Sequence, residues 1–276
     1  MGMLKQRVIT ALLLAPLMIA AVLLLPNDSL ALLLALVVTV GAREWAVLSG
    51  INPWGGQLLY SLTLLLMMFA IFYLLPPTGY VWVIGFSVFL WLTVIFRLRR
   101  FQGTEQATAG FEPLRALEGV AVLVPAWLAL VMLHRIPSGG PVLLLFLLIL
   151  IWSADIGAYF AGHRWGRTKL APRVSPGKTW EGVYGAMACA LVCGLFLVWW
   201  LGTELERALL LLLLCLITTL FSVVGDLFES LLKRRRGLKD SGTLLPGHGG
   251  MLDRIDSLTA AAPLFMLGLI LFGGDA

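Results

Sequence analysis

The chain has 276 residues, of which 60% are hydrophobic and 13% charged, and it carries a formal net charge of +5. Soluble globular proteins carry about 25% charged residues. This composition therefore excludes a soluble enzyme and a disordered chain, and the three cysteines exclude a disulfide scaffold. The bilayer is the main solvent of this protein.

A bilayer core about 30 Å thick calls for roughly 20 apolar residues per helix. In chain order the apolar runs are Val8–Leu25, Leu30–Leu48, Leu58–Leu75, Tyr80–Phe96, Ala116–Leu133, Pro141–Phe160, Gly182–Leu201, Ala208–Asp226 and Leu258–Phe272. They predict an all-α, polytopic bundle of about nine transmembrane helices. The separators are short, as in Pro26-Asn27-Asp28, Pro76-Pro77-Thr78-Gly79 and Ile136-Pro137-Ser138-Gly139-Gly140, and they read as tight turns. Residues 1–135 and 136–276 are therefore expected to form one continuous membrane domain, with the catalytic region in the second part. Val8–Leu25 has no small-x-small cleavage site after it and reads as a retained first helix. Cys189, Cys193 and Cys215 lie inside apolar runs and read as small core residues.

With the N-terminus in the cytoplasm, 18 of the 20 Lys and Arg residues fall on the inner side and only Arg135 and Arg207 outside. That split follows the positive-inside rule and predicts a working face toward the cytoplasm; a bacterial-type inner membrane is the location expected. The one-sided field favours anionic head groups and anionic solutes there. Arg97, Arg99 and Arg100 form a basic run with no carboxylate or glycine loop next to them in the sequence, and they read as topology signals.

Two inner stretches differ from the rest. One runs from Asp155 to Glu181 and the other from Gly225 to Asp256; together they hold 11 of the inner basic residues and seven of the 15 acidic ones. Topology explains bases but not the aspartates among them. Asp226 closes an apolar run, and Glu229, Ser230 and Lys233 follow at helical spacing on one face. Asp253 and Asp256 are three apart before the last run, so they share a helix face. A carboxylate at that depth is costly unless it meets a polar cavity, a partner or a metal. Carboxylates from two helix ends suit Mg²⁺, which completes its octahedron with water and phosphate oxygens. Ion pairing among Asp226, Lys233, Asp253 and Arg254 is the competing explanation, and spacing alone does not separate the two. Asp155, near the end of its helix, is either a site residue or the partner of an arginine.

Gly242, Gly247, Gly249 and Gly250 bracket His248 in a stretch too broken for a helix, where backbone N–H groups can approach a phosphate. Ser175-Pro176-Gly177-Lys178-Thr179 resembles the end of a P-loop. Pro172 replaces the required glycine and no strand is expected before it, so that motif fails. What remains is a Ser/Lys/Thr turn ahead of a helix whose N-terminus suits an anion. His163 and His248 lack the spacing of zinc ligands.

From Ser230-Leu-Leu-Lys233-Arg234 through Lys239-Asp240-Ser-Gly242 to Pro246-Gly-His248-Gly249-Gly250-Met-Leu-Asp253-Arg254-Ile-Asp256, the sequence resembles the phosphatidate cytidylyltransferase signature, unbroken over 27 residues. Asp155-Ile-Gly-Ala-Tyr-Phe-Ala-Gly162 and the segment Lys169–Gly182 resemble other segments of that family, the CDP-diacylglycerol synthases. The N-terminal helices resemble it only in hydropathy.

The resemblance implies that CTP and phosphatidic acid give CDP-diacylglycerol and pyrophosphate, with Mg²⁺ required and a second cation left open. It implies Asp226 and Asp253 as metal ligands, with Asp240 and Asp256 as alternates. Lys233, Lys239, Arg234, Arg254, Lys178, Ser175, Ser230 and His248 are then expected around the phosphates, and Asp155 beside them. Membrane lipids are expected partners, nucleic acid is not, and a homodimer is left open. The alternatives are a cytidylyltransferase for a polyprenyl or ether lipid phosphate, or a transporter. A transporter would place its ionisable groups near the bilayer midplane rather than at one face. A CDP-alcohol phosphotransferase is set aside because its DGxxAR signature is missing.

Overall fold

A computed structural model describes residues 3–101, 110–137, 139–244 and 249–272, with side chains from Leu12 onward. The described residues form α1 (Met3–Leu24), α2 (Asn27–Leu48), α3 (Trp54–Leu74), α4 (Pro77–Arg100), α5 (Pro113–Arg135), α6 (Gly140–Trp165), β1 (Lys169–Ala171), β2 (Ser175–Thr179), α7 (Trp180–Leu201), α8 (Leu205–Arg235) and α9 (Leu252–Phe272). Eight of these helices are long and apolar enough to cross a membrane, and in α1 the apolar stretch is the shorter Leu12–Leu24. The chain is a polytopic integral membrane protein. Each predicted apolar run has become a helix, because in lipid a spanning segment must satisfy its own backbone groups.

Helices from the two parts of the chain interleave: α9 packs on α2, α4, α5 and α8. The deepest layer is aromatic, with Trp45, Trp91, Trp127, Phe228 and Phe265 fully buried. Two buried indoles need acceptors and find backbone carbonyls, Trp45 at Arg115 (2.8 Å) and Trp127 at Ala31 (2.9 Å). Apolar side chains such as Leu66, Trp82, Phe89, Val192 and Trp199 point outward, as a lipid-facing surface requires.

Helices α6 and α7 approach each other closely at a pair of glycines. A Cβ on Gly185 would lie 2.4 Å from the Gly157 carbonyl oxygen, and one on Gly157 would lie 2.7 Å from that of Gly185. Only glycine fits both places, and such small-residue seams replace the hydrophobic drive that lipid removes.

One end of the bundle gathers the loops predicted to share a side. Arg236, just past α8, donates to the carbonyls of Leu48 (2.8 Å) and Gly110 (2.9 Å) and pairs with Glu112 (3.0 Å). At the opposite end Asn27 donates to Val131 (3.0 Å). The expectation that Arg97 lies apart from any carboxylate is corrected here. Arg97 pairs with Glu118, which also holds Arg115, and its guanidinium lies 5.4 Å from the centroid of the Phe228 ring. Glu118 lies 21 residues further along, out of reach of a reading confined to the basic run itself.

Most helices outrun their apolar runs, and in α8 and α6 the extension lies beyond an acidic residue of interest. Asp226 is followed by nine more helical residues, Leu227 to Arg235, and Asp155 by ten, Ile156 to Trp165. The predicted turn at Ser175–Thr179 is an antiparallel strand instead, paired with β1 in the register Lys169↔Thr179 and Ala171↔Ser175.

Candidate active site

A cavity of about 600 Å³ opens among α6, β2, α7, α8 and α9. Asp155, Lys178, Asp226, Asp253, Arg254 and Asp256 all line it. Each element delivers one part. α6 contributes Asp155 with Tyr159 and His163, whose rings stack at 5.8 Å between centroids. The hairpin contributes Lys178. α8 contributes Asp226, and the first turn of α9 contributes Asp253 and Asp256.

The hairpin is fixed to α7 at two points. The Thr179 hydroxyl caps the helix by accepting from the Gly182 N–H at 3.2 Å, and the Glu181 carboxylate accepts from the Thr168 N–H at 3.1 Å. So anchored, the strand carries the Lys178 ammonium to 2.6 Å from Asp226 Oδ2. Arg234, on the last turns of α8, reaches back to the Val174 carbonyl (3.4 Å). The hairpin and α8 thus hold each other from both sides of the cavity mouth.

The residues predicted to share a face of α8 do so. Ser230 Oγ lies 3.4 Å from Asp226 Oδ1, and Lys233 Nζ lies 2.7 Å from Glu229 Oε2. Lys233 also reaches Asp253 Oδ1 at 2.5 Å, joining α8 to α9. Glu229 is 2% exposed, and among the described residues no donor reaches its Oε1, while its carboxyl interacts with that of Asp256. The second oxygen of Asp253 is occupied as well. Oδ2 accepts from the N–H of Gly250 (2.8 Å) and of Ser241 (3.0 Å), with Ser241 Oγ at 3.0 Å. Gly249 takes a positive φ of 85° beneath it, and a Cβ there would lie 2.6 Å from Asp253 Oδ2. Only a glycine lets the loop close on that carboxylate.

Of the predicted site residues, six meet at the cavity. Ser230, Lys233 and Arg234 sit behind them and hold cavity residues or the hairpin. Ser175 is half-buried at the start of β2, whereas Lys239 and Asp240 are exposed and do not line the cavity. His248 lies outside the described residues. Among the described residues no cluster of three or more His, Cys, Asp or Glu is grouped as a ready metal site.

Sequence reading passed over Glu44, on α2, whose carboxylate accepts from Met251 N–H (2.9 Å) and Leu252 N–H (2.7 Å) and lies 2.9 Å from Ser241 Oγ. The available signal was an acidic residue inside an apolar run, which is a functional pointer in a membrane helix. Ser241 was likewise part of the matched signature without a role.

A charged cavity sunk into one end of an apolar helix bundle, lined by four aspartates together with Lys178 and Arg254, defines a polytopic membrane protein with its acidic and basic side chains gathered at one site. The chain belongs to the cytidylyltransferase family, whose sequence profile matches residues 5–272. It is 44% identical to a phosphatidate cytidylyltransferase of Pseudomonas aeruginosa over 263 residues, covering 95% of this chain and 96% of that protein. A phosphatidate cytidylyltransferase of Haemophilus influenzae is 35% identical over 283 residues, covering 95% and 97%. One from Brucella suis is 48% identical over 124 residues, 45% of each chain.

Proposed function

We propose that this protein transfers CMP from CTP to phosphatidic acid, giving CDP-diacylglycerol and pyrophosphate at the cytoplasmic face of a bacterial inner membrane. The observation that carries this reading is the cavity. It places Asp155, Asp226 and Asp256 opposite Lys178 and Arg254 at one end of the bundle, in a chain similar along nearly its whole length to phosphatidate cytidylyltransferases.

A phosphatidate oxygen is already a nucleophile. It attacks the α-phosphorus of CTP, the new P–O bond forms, and the bond to the β-phosphate oxygen breaks with the electron pair leaving on pyrophosphate. No strong general base is needed, and the obstacle is bringing like charges together. Lys178 and Arg254 reduce it by holding phosphate oxygens inside the cavity. Lys178 is already poised, since its partner Asp226 holds the ammonium within the cavity rather than in bulk water.

Asp226 of α8 and Asp256 of α9 line one space, and Mg²⁺ needs only one or two carboxylates, taking the rest of its octahedron from water and phosphate oxygens. Asp226 and Asp256 are the residues we assign to hold it, with Asp155 beside them. Asp253, first expected as a ligand, is the more heavily engaged carboxylate: one oxygen is on Lys233 and the other on three donors, whereas Asp226 meets only Lys178 and, at 3.4 Å, the Ser230 hydroxyl. We assign it to fixing Lys233 and the loop instead. Bound there, Mg²⁺ would neutralise charge on the α-phosphate and the departing pyrophosphate.

The test is pyrophosphate release by the purified full-length protein with CTP, Mg²⁺ and a panel of lipid phosphates. Turnover is expected with phosphatidic acid and not with a polyprenyl phosphate. No release with any lipid removes the reading, and preference for the polyprenyl phosphate replaces the substrate.

A further inference from the structure

We propose that Glu44 is a positioning residue for this reaction, holding the loop before α9 and, through Ser241, the carboxylate of Asp253. The proposal rests on the activity above, because Asp253 matters to turnover only if that cavity is the reaction site.

Glu44 is a buried acid, 8% exposed, near the inner-loop end of α2. A carboxylate removed from water is expensive unless its lone pairs are satisfied. Here each oxygen takes an N–H at the N-terminus of α9, from Met251 to Oε1 and from Leu252 to Oε2. Those N–H groups have no partner within the helix, and the N-terminal end of a helix favours a negative charge. Glu44 therefore caps α9 from a different helix. It also determines where the loop runs. A Cβ on Gly242 would lie 2.4 Å from Glu44 Oε1, and one on Gly250 would lie 2.4 Å from Oε2. Two glycines of the matched signature are thus explained by one side chain of α2.

Ser241 transmits the constraint. Its hydroxyl lies within hydrogen-bond reach of both Glu44 Oε2 (2.9 Å) and Asp253 Oδ2 (3.0 Å), while its N–H donates to the same Asp253 oxygen (3.0 Å). Asp253 in turn fixes Lys233. The chain from Glu44 to Ser241 to Asp253 to Lys233 spans α2, the loop, α9 and α8 without touching the cavity until Asp253. Glu44 itself does not line that cavity. It acts on the reaction through others.

Glu44→Gln tests this with little change of size. An amide offers one acceptor oxygen and one NH₂ group, which only donates, so the NH₂ must face Met251 N–H or Leu252 N–H. Full-length protein in nanodiscs is expected to show faster hydrogen exchange at the Met251 and Leu252 amides. Its kcat should fall roughly 10–100-fold, the usual cost of losing an outer support of a site, with KM for phosphatidic acid nearly unchanged. Ser241→Ala keeps both capping bonds; it should lower kcat without speeding exchange at those amides. The double variant should be scarcely worse than the poorer single one, since both interrupt one chain of contacts.

Unchanged exchange in folded Glu44→Gln, or kcat per folded molecule equal to wild type in either variant, overturns the proposal. If Glu44→Gln does not fold, Ser241→Ala decides alone, and normal turnover there refutes the link. A wild-type protein inert toward CTP and all lipids removes the proposed activity and with it the positioning role of Glu44. The exchange result separates that failure from an error in the capping geometry.

Discussion

Asp226 and Asp253 both line the cavity, yet their surroundings differ, and so should the consequences of changing them. Asp226→Asn removes a charge facing Lys178 at a half-exposed mouth, whereas Asp253→Asn breaks a fourfold set of contacts. Both should reduce pyrophosphate release to near background, and the double variant should be little worse, because residues acting as a unit are not additive. Mg²⁺ affinity measured by calorimetry separates their roles: it should drop for Asp226→Asn and hold for Asp253→Asn. The two lysines make a matching comparison. Side-chain exposure is 11% for Lys233 and 3% and 8% for its carboxylates, against 25% and 34% for Lys178 and Asp226. Lys233→Met strands two buried carboxylates and should cost about 3–5 kcal/mol, seen as a lower melting temperature. Lys178→Met leaves Asp226 open to water, so it should lose turnover with much less loss of stability. The sequence brought Asp226, Lys233 and Asp253 into one neighbourhood because Asp226 and Lys233 are two helical turns apart and Lys233 and Asp253 share the contiguous signature. It did not reveal Lys178 on Asp226 or Glu44 on the loop, since a pairing across helices leaves no periodicity to read.

Among the elements, helices were legible throughout, but their ends were not. The apolar run stopped at Asp226, while α8 continues for about 14 Å more at 1.5 Å per residue. Ser230 beside Asp226 and Lys233 paired with Glu229 support the extension at four-residue spacing. The β1–β2 hairpin was hidden for a different reason. Pro176 and Gly177 read as a turn, and a five-residue strand paired only at its edge tolerates both. The α6–α7 seam yields a prediction at this scale. Gly185→Val forces a side chain into the Gly157 backbone, so it should separate the helices, lower the melting temperature and abolish turnover. Gly85→Ala, on α4 and away from the cavity, meets no atom within 4 Å and has no positive φ. It should leave both measurements near wild type. Equal sensitivity at the two positions would show that the bundle does not depend on the seam.

For the whole molecule, the alternation of loops between two ends makes sidedness measurable. In a variant lacking Cys189, Cys193 and Cys215, Lys239→Cys should react with an impermeant maleimide only in inverted vesicles. Glu204→Cys, exposed at the α7–α8 turn, should react only in right-side-out cells. The reverse pattern would turn the protein over and place the cavity outside. Glu44 adds a temporal consequence. It is separated from Ser241 by 197 residues and from Leu252 by 208. At synthesis rates of 5–20 residues per second, α2 waits roughly 10–40 s for the segment that satisfies its carboxylate. During that interval α2 is a membrane helix with an unanswered charge. Its position four residues from the end of the helix leaves that charge near the water boundary, where the nascent chain can wait without being pulled out of the bilayer. Two turns deeper, the same side chain would make insertion of α2 depend on a helix the ribosome had yet to make.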